Sequence, residues 1–245
     1  MNVIFASSRG FGLNKFLPSG TTVEAISGGT IGDLTEKAKL VLPPPYGLKQ
    51  RVHAYFLCGI PDITTLAKDD YGYRECIYLE SPLETADRYL QDLEKCRNTI
   101  LELGSLPIFA TIPKCNLEIY NNHMLNDGST SQLKYQDQYA KMQDNLNQAI
   151  DSINGRIYRL NKQTQVSTPF LHCSIMEHRG RKNKRYYVYK YDRYRDGLHA
   201  LDPLKKVWAD SFMKAFEYNA QKEDSDIEGS PKRSWKIPSK RPRVE

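Results

Sequence analysis

Short runs of β-branched and aromatic residues alternate with longer segments of helical periodicity, and this alternation constrains the fold more than any other feature. The strand-like runs cover residues 2–6, 22–28, 52–59 and 106–113. Parallel strands need long crossover connections, and here the connections contain helical segments. The pattern therefore predicts an α/β protein, a three-layer α/β/α sandwich with a central parallel sheet.

The predicted helices have recognisable ends. Ser81 is placed as an N-cap before Pro82 at the first helical position, and Gly104 ends the apolar periodicity. A second helix is predicted over roughly residues 131–153 from its apolar face. The last helix is predicted to start at Asp202.

The composition allows one substantial hydrophobic core. The chain has 245 residues, of which 40% are apolar and 26% are charged, as in ordinary globular domains. No window approaches the ~18 apolar residues of a membrane span, and the N-terminus has no secretory pattern. The five cysteines are odd in number and form no C-x-x-C pair. We therefore expect reduced thiols, an intracellular location and no membrane partner.

Serine and glycine follow three of the predicted strands. Ser7-Ser8, Gly28-Gly29 and Gly59 each come directly after or at the end of an apolar run. The carboxyl ends of parallel strands meet at one edge of a sheet, so these residues are expected to border one crevice. Two simpler interpretations stay open: a serine that caps a helix, and a glycine pair that forms a plain turn. The spacing is not G-x-G-x-x-G, which argues against nucleotide binding.

A candidate acid–base pair lies near the C-terminus. Asp196-Gly197-Leu198-His199 places a carboxylate three residues before an imidazole, close enough to meet across one turn. The carboxylate can hold the tautomer that leaves one ring nitrogen free as a base. A serine at a strand end could give its proton to that base. Alone, the pair is weak evidence, because many such pairs only cap a helix.

In their order along the chain, the Ser and Gly strand ends and the Asp196–His199 pair resemble the motifs of the SGNH (GDSL-type) esterase/lipase superfamily. The resemblance covers residues 1–219. The family's first block, G-D-S-x-x-x-G-L, corresponds to Ala6-Ser7-Ser8-Arg9-Gly10-Phe11-Gly12-Leu13, and its last, D-G-x-H, to Asp196-Gly197-Leu198-His199. The resemblance implies an SGNH/flavodoxin-like fold. It also implies Ser8 as nucleophile, His199 as base, Asp196 as its orienting acid, and the N–H groups of Ser8 and Gly28 as oxyanion donors. No cofactor is predicted.

The chain departs from the family in two places. Ala6-Ser7 replaces Gly-Asp before the nucleophile, and Gly59-Ile60-Pro61-Asp62 replaces the G-x-N-D block. Proline at 61 removes the asparagine donor, and such a loss typically costs roughly 3–4 kcal/mol of transition-state stabilisation. The resemblance therefore leaves three alternatives: a working hydrolase of carboxylic esters, a lapsed module that binds RNA or DNA, and an interaction scaffold. SGNH-like domains of mobile-element or viral proteins would fit the second.

One basic, tyrosine-rich segment carries most of the net charge. Residues 179–195 hold eight Lys/Arg, one acid and five tyrosines, a net +7 within a chain total of +6. Cations neutralise phosphates and tyrosine rings stack on bases, so the segment is a candidate nucleic-acid site; a solvated hairpin is the alternative. The alternation predicts a β-ribbon. The candidate contacts are Arg179, Arg181, Lys182, Lys184, Arg185, Tyr187, Tyr189 and Lys190.

The C-terminal segment has a different composition. Residues 220–245 are charged and poor in apolar residues, which predicts a disordered tail after the domain at 1–219. Its short basic clusters with proline are typical of nuclear import signals, and also occur by chance in such tails. His172, Cys173 and His178 fit no standard zinc spacing, so no metal site is predicted.

Overall fold

The computed structural model describes residues 1–43, 51–69, 71–179 and 186–227. The strands are β1 Asn2–Ala6, β2 Thr22–Ala25, β3 His53–Leu57, β4 Thr65–Lys68, β5 Arg74–Ile77, β6 Leu106–Phe109, β7 Met176–Arg179 and β8 Tyr186–Tyr189. The α-helices are α1 Ile31–Val41, α2 Ile60–Ile63, α3 Pro82–Glu102, α4 Leu117–Asn126, α5 Tyr139–Gln163 and α6 Asp202–Ile227. Short 3₁₀ helices cover Ser8–Gly10, Leu13–Phe16, Gln136–Gln138, His172–Ile175 and Tyr191–Arg193.

The four predicted strands form one parallel sheet in the order β2-β1-β3-β6. In register, Ala6 at the end of β1 lies between Ala25 of β2 and Leu57 of β3. This confirms the predicted α/β class with a central parallel sheet. It also places the end of β1, where Ser7 and Ser8 follow, between two neighbouring strands.

Successive residues of β1 and β3 enter different cores, as the period of two requires. Phe5 and Phe56 pack on the face covered by α1, α3 and α5. Ile4 and Tyr55 pack on the opposite face, against Trp208 and other apolar residues of α6. Strands buried on both faces read as continuous apolar runs, which explains why they are visible in the sequence.

Two antiparallel hairpins lie outside this sheet. Strand β4 pairs with β5, and β7 pairs with β8. The second hairpin contains the described part of the predicted basic ribbon, although Tyr191 lies in a 3₁₀ helix after β8. The connection between β7 and β8 lies outside the described residues.

The helices differ from prediction at several boundaries. Helix α5 runs from Tyr139 to Gln163 instead of 131–153, and Gly155 lies inside it. Helix α6 continues to Ile227, so the expected boundary at residue 219 falls within a helix. Residues 228–245 of the expected tail lie outside the described residues. No described helix is long and apolar enough to cross a membrane.

Candidate active site

Ser8 lies two residues beyond Ala6, the buried end of β1. Ser7 is buried and donates its N–H to Leu57 O at 3.0 Å, which extends the sheet by one residue. The chain then turns into the 3₁₀ helix Ser8–Gly10, whose close packing requires glycine at its end: a Cβ on Gly10 would lie 2.3 Å from Ala6 Cβ. Ser7 has the N-cap position of this turn but makes no side-chain capping bond. The turn therefore places Ser8 at the carboxyl ends of the parallel strands.

The Asp196–His199 loop is held by backbone contacts. Gly197 has φ +80°, and a Cβ there would lie 2.8 Å from Asn116 O, so this position favours glycine strongly. Asn116 donates its N–H to Gly197 O at 2.9 Å. The Oδ1 atom of Asp196 accepts the N–H groups of Leu198 at 3.1 Å and His199 at 2.7 Å. The loop thus fixes the carboxylate against its own backbone.

The three predicted catalytic side chains form one hydrogen-bonded chain. His199 Nδ1 lies 2.6 Å from Asp196 Oδ2, and His199 Nε2 lies 3.0 Å from Ser8 Oγ. A carboxylate only accepts, so Nδ1 of the neutral imidazole carries the proton. Nε2 is then free to accept from the hydroxyl of Ser8. This is the geometry that a serine nucleophile and its general base require.

The Asp196 carboxylate is stabilised in its charged form. Burial by itself would raise the pKa of Asp196, but hydrogen bonds from the His199 ring and from backbone N–H groups outweigh it and lower the pKa well below the ordinary value. The side chain is 3% exposed, whereas that of His199 is 26% exposed. The negative charge is therefore fixed behind the imidazole, and the imidazole itself is open to the cleft.

The predicted oxyanion donors are the backbone N–H groups of Ser8 and Gly28. Within the described part of the chain, the N–H groups of Ser8 and Gly28 donate to no acceptor. Gly28 has φ +65°, and the space around a Cβ placed on it is open. Ser27, rather than Gly28, lines the cleft beside Ser8. The oxyanion role of Gly28 stays a prediction.

Pro61 faces a different part of the molecule. It lies in α2 and lines a separate cleft of about 490 Å³, together with Thr30 and Arg88. The neighbouring Asp62 accepts the N–H of Ile31 through Oδ1 at 2.8 Å and so caps α1. Burial raises the pKa of Asp62 to about 6. The block around Pro61 therefore joins α2 to α1.

Ser8 and His199 open into a cleft of about 770 Å³. Sequence reasoning missed most of its wall, although some residues stand beside the motifs. The other lining residues are Arg9, Phe11, Ser27, Arg195, Ala200, Leu201, Asp202, Pro203 and Lys205. Arg9 and Phe11 belong to the first block and Arg195 precedes Asp196, so adjacency to the motifs was the available signal. Nothing in the local pattern distinguished Lys205.

The described residues of the basic segment are partly paired. Arg179 Nε lies 3.5 Å from Glu177 Oε1, and Lys190 Nζ lies 2.8 Å from Glu177 Oε2. Tyr189 accepts a hydrogen bond from Lys114 at 2.7 Å, while Tyr187 is exposed. The other predicted contacts, Arg181, Lys182, Lys184 and Arg185, lie outside the described residues. The nucleic-acid role of the segment stays a prediction.

The remaining candidate ligands are dispersed. Among the described residues, no three His, Cys, Asp or Glu side chains are grouped as a metal site would require. All five cysteines are free thiols; Cys173 is exposed and the others are buried. Cys173 Sγ lies 3.1 Å from His172 Nε2. This contact joins two of the three residues whose spacing fits no standard zinc site.

Comparisons with known proteins identify the fold. No family model and no curated protein sequence matches the chain. Among solved structures, a candidate acylhydrolase from Bacteroides fragilis matches with a TM-score of 0.57 and 13% identity, over 89% of this chain and 86% of that one. A GDSL-like lipase from Bacteroides thetaiotaomicron matches with a TM-score of 0.54 and 13% identity, over 88% and 87% of the two chains.

A third similar structure, the lipase/acylhydrolase from Enterococcus faecalis, has a TM-score of 0.50 and 13% identity, and the match covers 95% of this chain and 99% of that one. At such identities the likeness establishes the fold and not the activity. The chain therefore has the fold of the GDSL-type, or SGNH, hydrolases, as the sequence resemblance implied.

Proposed function

We propose that this protein is a serine hydrolase that cleaves carboxylic esters through Ser8, His199 and Asp196. One observation carries the proposal: Nε2 of His199 lies 3.0 Å from Ser8 Oγ while Nδ1 lies 2.6 Å from Asp196 Oδ2. A histidine that only capped a turn would have no reason to join a buried carboxylate to a serine at a strand end. The SGNH fold supports the same chemistry.

The reaction follows from the proton positions. As Ser8 Oγ bonds to the ester carbonyl carbon, its proton passes to His199 Nε2, and the carbonyl oxygen takes the negative charge. Asp196 stabilises the imidazolium and is not itself protonated. When the carbon–oxygen bond to the leaving group breaks, His199 returns the proton to the departing alkoxide. Water then repeats the sequence on the acyl-serine, releasing the acid and restoring Ser8.

The expected rate is limited by the oxyanion hole. Backbone N–H groups of Ser8 and Gly28 are the proposed donors, and Pro61 supplies none. Loss of one donor typically lowers kcat by about 10²–10³-fold. We therefore expect slow turnover of activated esters such as para-nitrophenyl acetate, with the acyl-serine still able to form.

Covalent labelling tests the proposal. A fluorophosphonate probe should label the folded wild type at one site and should not label Ser8→Ala. Ser27→Ala is a matched control, since Ser27 is exposed in the same cleft, while the described hydrogen bonds of the His199 ring go to Asp196 and Ser8. Labelling that persists in Ser8→Ala, or is absent from a folded wild type, would overturn the proposed function.

A second candidate function is nucleic-acid binding through the segment 179–195. It is favoured by Tyr186 and Tyr187 of β8, which are 58% and 55% exposed, and Tyr186 pairs in register with Arg179. Affinity for single-stranded RNA should then fall steeply with salt, and Tyr187→Ala should weaken it through lost stacking. Salt-independent or undetectable binding would contradict this candidate.

A further inference from the structure

The wall of the Ser8 cleft is asymmetric in charge. Among its lining residues, Arg9, Arg195 and Lys205 are cationic and Asp202 is the one acid. Lys205 Nζ lies 3.4 Å from Asp202 Oδ1, which offsets one charge only in part. Arg195 is 67% exposed and its Nη2 lies 3.7 Å from Asp196 Oδ2, a carboxylate already engaged with His199. The cleft therefore keeps an excess of positive charge beside the nucleophile.

Arg9 strengthens this excess from beneath the surface. The residue is 3% exposed, and its Nη1 donates to Pro113 O at 2.7 Å. Its Nε and Nη2 atoms are buried without a hydrogen-bond partner, and within the described residues it forms no ion pair. Arginine stays charged at any ordinary pH, and although the Arg9 guanidinium lies 5.8 Å from the centre of the Tyr194 ring, a buried charge without an ionic partner is costly. An anion in the adjacent cleft would offset that cost.

Apolar surface lies in the same cleft. Phe11 and Leu201 are 50% and 41% exposed, although both are large apolar side chains. Each lines the cleft that contains Ser8 and His199. A ligand that covered them would remove apolar surface from water while it approached the cations. The wall thus combines apolar contact with positive charge.

We propose that the cleft selects small esters that carry a negative charge, over neutral esters of the same shape. This inference rests on the proposed function for its chemistry and names the substrate class of that site. The ester carbonyl lies at Ser8, the apolar part of the ligand lies against Phe11 or Leu201, and the anionic group lies near Arg195 and Lys205. The chemical step is the acyl transfer described above, with the charged group as a spectator.

A matched substrate pair tests the preference. Para-acetoxybenzoate and para-acetoxybenzamide present the same acetyl ester and a similar outline, and only the first has a charge. The readout is the ratio of their kcat/KM values, compared between wild type and variants so that intrinsic reactivity cancels. Arg195→Gln and Lys205→Gln should each lower the ratio by about twofold to fivefold, the effect of one partly exposed cation.

The control is Lys206→Gln, which removes the same unit of charge from an exposed position on α6 that does not line the cleft. It should leave the ratio near that of wild type. Added salt should lower the wild-type ratio, because screening weakens exposed charge pairs. The inference is overturned if Arg195→Gln and Lys205→Gln leave the ratio unchanged, or lower it no more than Lys206→Gln does. The proposed function would still stand in that case.

If neither ester is hydrolysed, a binding experiment still tests the preference for charged esters separately from the proposed hydrolase activity. Ser8→Ala, checked for folding by circular dichroism, is titrated with each ester and followed by NMR. Tighter binding of para-acetoxybenzoate, weakened by Lys205→Gln, would support the charge preference even in a protein without activity. Equal dissociation constants for the two esters would overturn it.

Discussion

Asp196→Asn is the sharpest test of how the site works, because the two carboxylate oxygens of Asp196 have separate partners. Oδ1 accepts the N–H groups of Leu198 and His199, and Oδ2 accepts the imidazole. Asparagine can keep the first role with its own Oδ1. Its Nδ2 then faces His199 Nδ1, and a donor meets a donor.

The conflict is relieved if His199 changes tautomer. Nδ1 then accepts from Asn Nδ2, and the ring proton moves to Nε2, which lies 3.0 Å from Ser8 Oγ. In that state Nε2 can no longer take the serine proton. The wrong tautomer, together with the lost charge, should raise the barrier by about 3–5 kcal/mol, which lowers kcat by about 10²–10⁴-fold.

The assay is hydrolysis of para-nitrophenyl acetate by wild type and Asp196→Asn, with background hydrolysis subtracted. Asp202→Asn is the control, since Asp202 lines the same cleft and contacts Lys205 instead of His199. Circular dichroism should be unchanged, because the backbone contacts of Oδ1 persist. A working triad requires the large loss of activity described above. If Asp196→Asn keeps activity within about threefold of wild type, the proposed role of Asp196 is refuted.

Two further predictions concern stability. Burial raises the pKa of Asp62 to about 6, from 3.8, so the folded state holds its proton more tightly and the free energy of unfolding should fall as pH rises from about 4 to 6. Urea denaturation at several pH values should show the free energy of unfolding falling by at most about 3 kcal/mol over this range, and Asp62→Asn should largely remove the fall. The same pH dependence in both proteins would contradict the prediction. Gly197→Ala should lose about 1–3 kcal/mol, because its φ of +80° and the contact with Asn116 O exclude a Cβ. Gly155→Ala, in a helix with open space, should instead gain about 0.5–1 kcal/mol, and equal effects would contradict the strain argument.

The central strands of the sheet were predictable because they are buried on both faces. Strands β1 and β3 contain uninterrupted apolar runs, and both lie where the sequence places them. The run at 22–28 ends as a strand at Ala25, because the chain turns and Gly29 N–H bonds back to Ile26 O. Local chemistry therefore located the strands, while their exact ends depended on the turns that follow.

Helix boundaries were less predictable where capping is unusual. Helix α1 was not predicted, although Thr30 and Asp33 form a capping box in which aspartate takes the place that glutamate or glutamine usually fills. Helix α5 passes through Gly155, because buried residues on both sides, including Ile153 and Ile157, hold it against the core. Tertiary packing overrode local propensity there.

The sequence by itself determined which groups are available: apolar runs of the right period, a serine after a strand, and an Asp three residues before a His. It also identified the SGNH-type order of blocks. Local residues dictate such features because periodicity and turn chemistry act over a few positions. The carboxylate–imidazole pair belongs to this local level, since Asp196 and His199 share one turn.

Only the tertiary structure decided which distant groups meet. Ser8 and His199 are 191 positions apart, and their hydrogen bond exists because the loop before α6 docks beside the end of β1. The same docking brings Arg9, Arg195 and Lys205 to one cleft and leaves Pro61 on another. These contacts depend on packing across the whole sheet, and no local pattern encodes packing between segments so far apart along the chain.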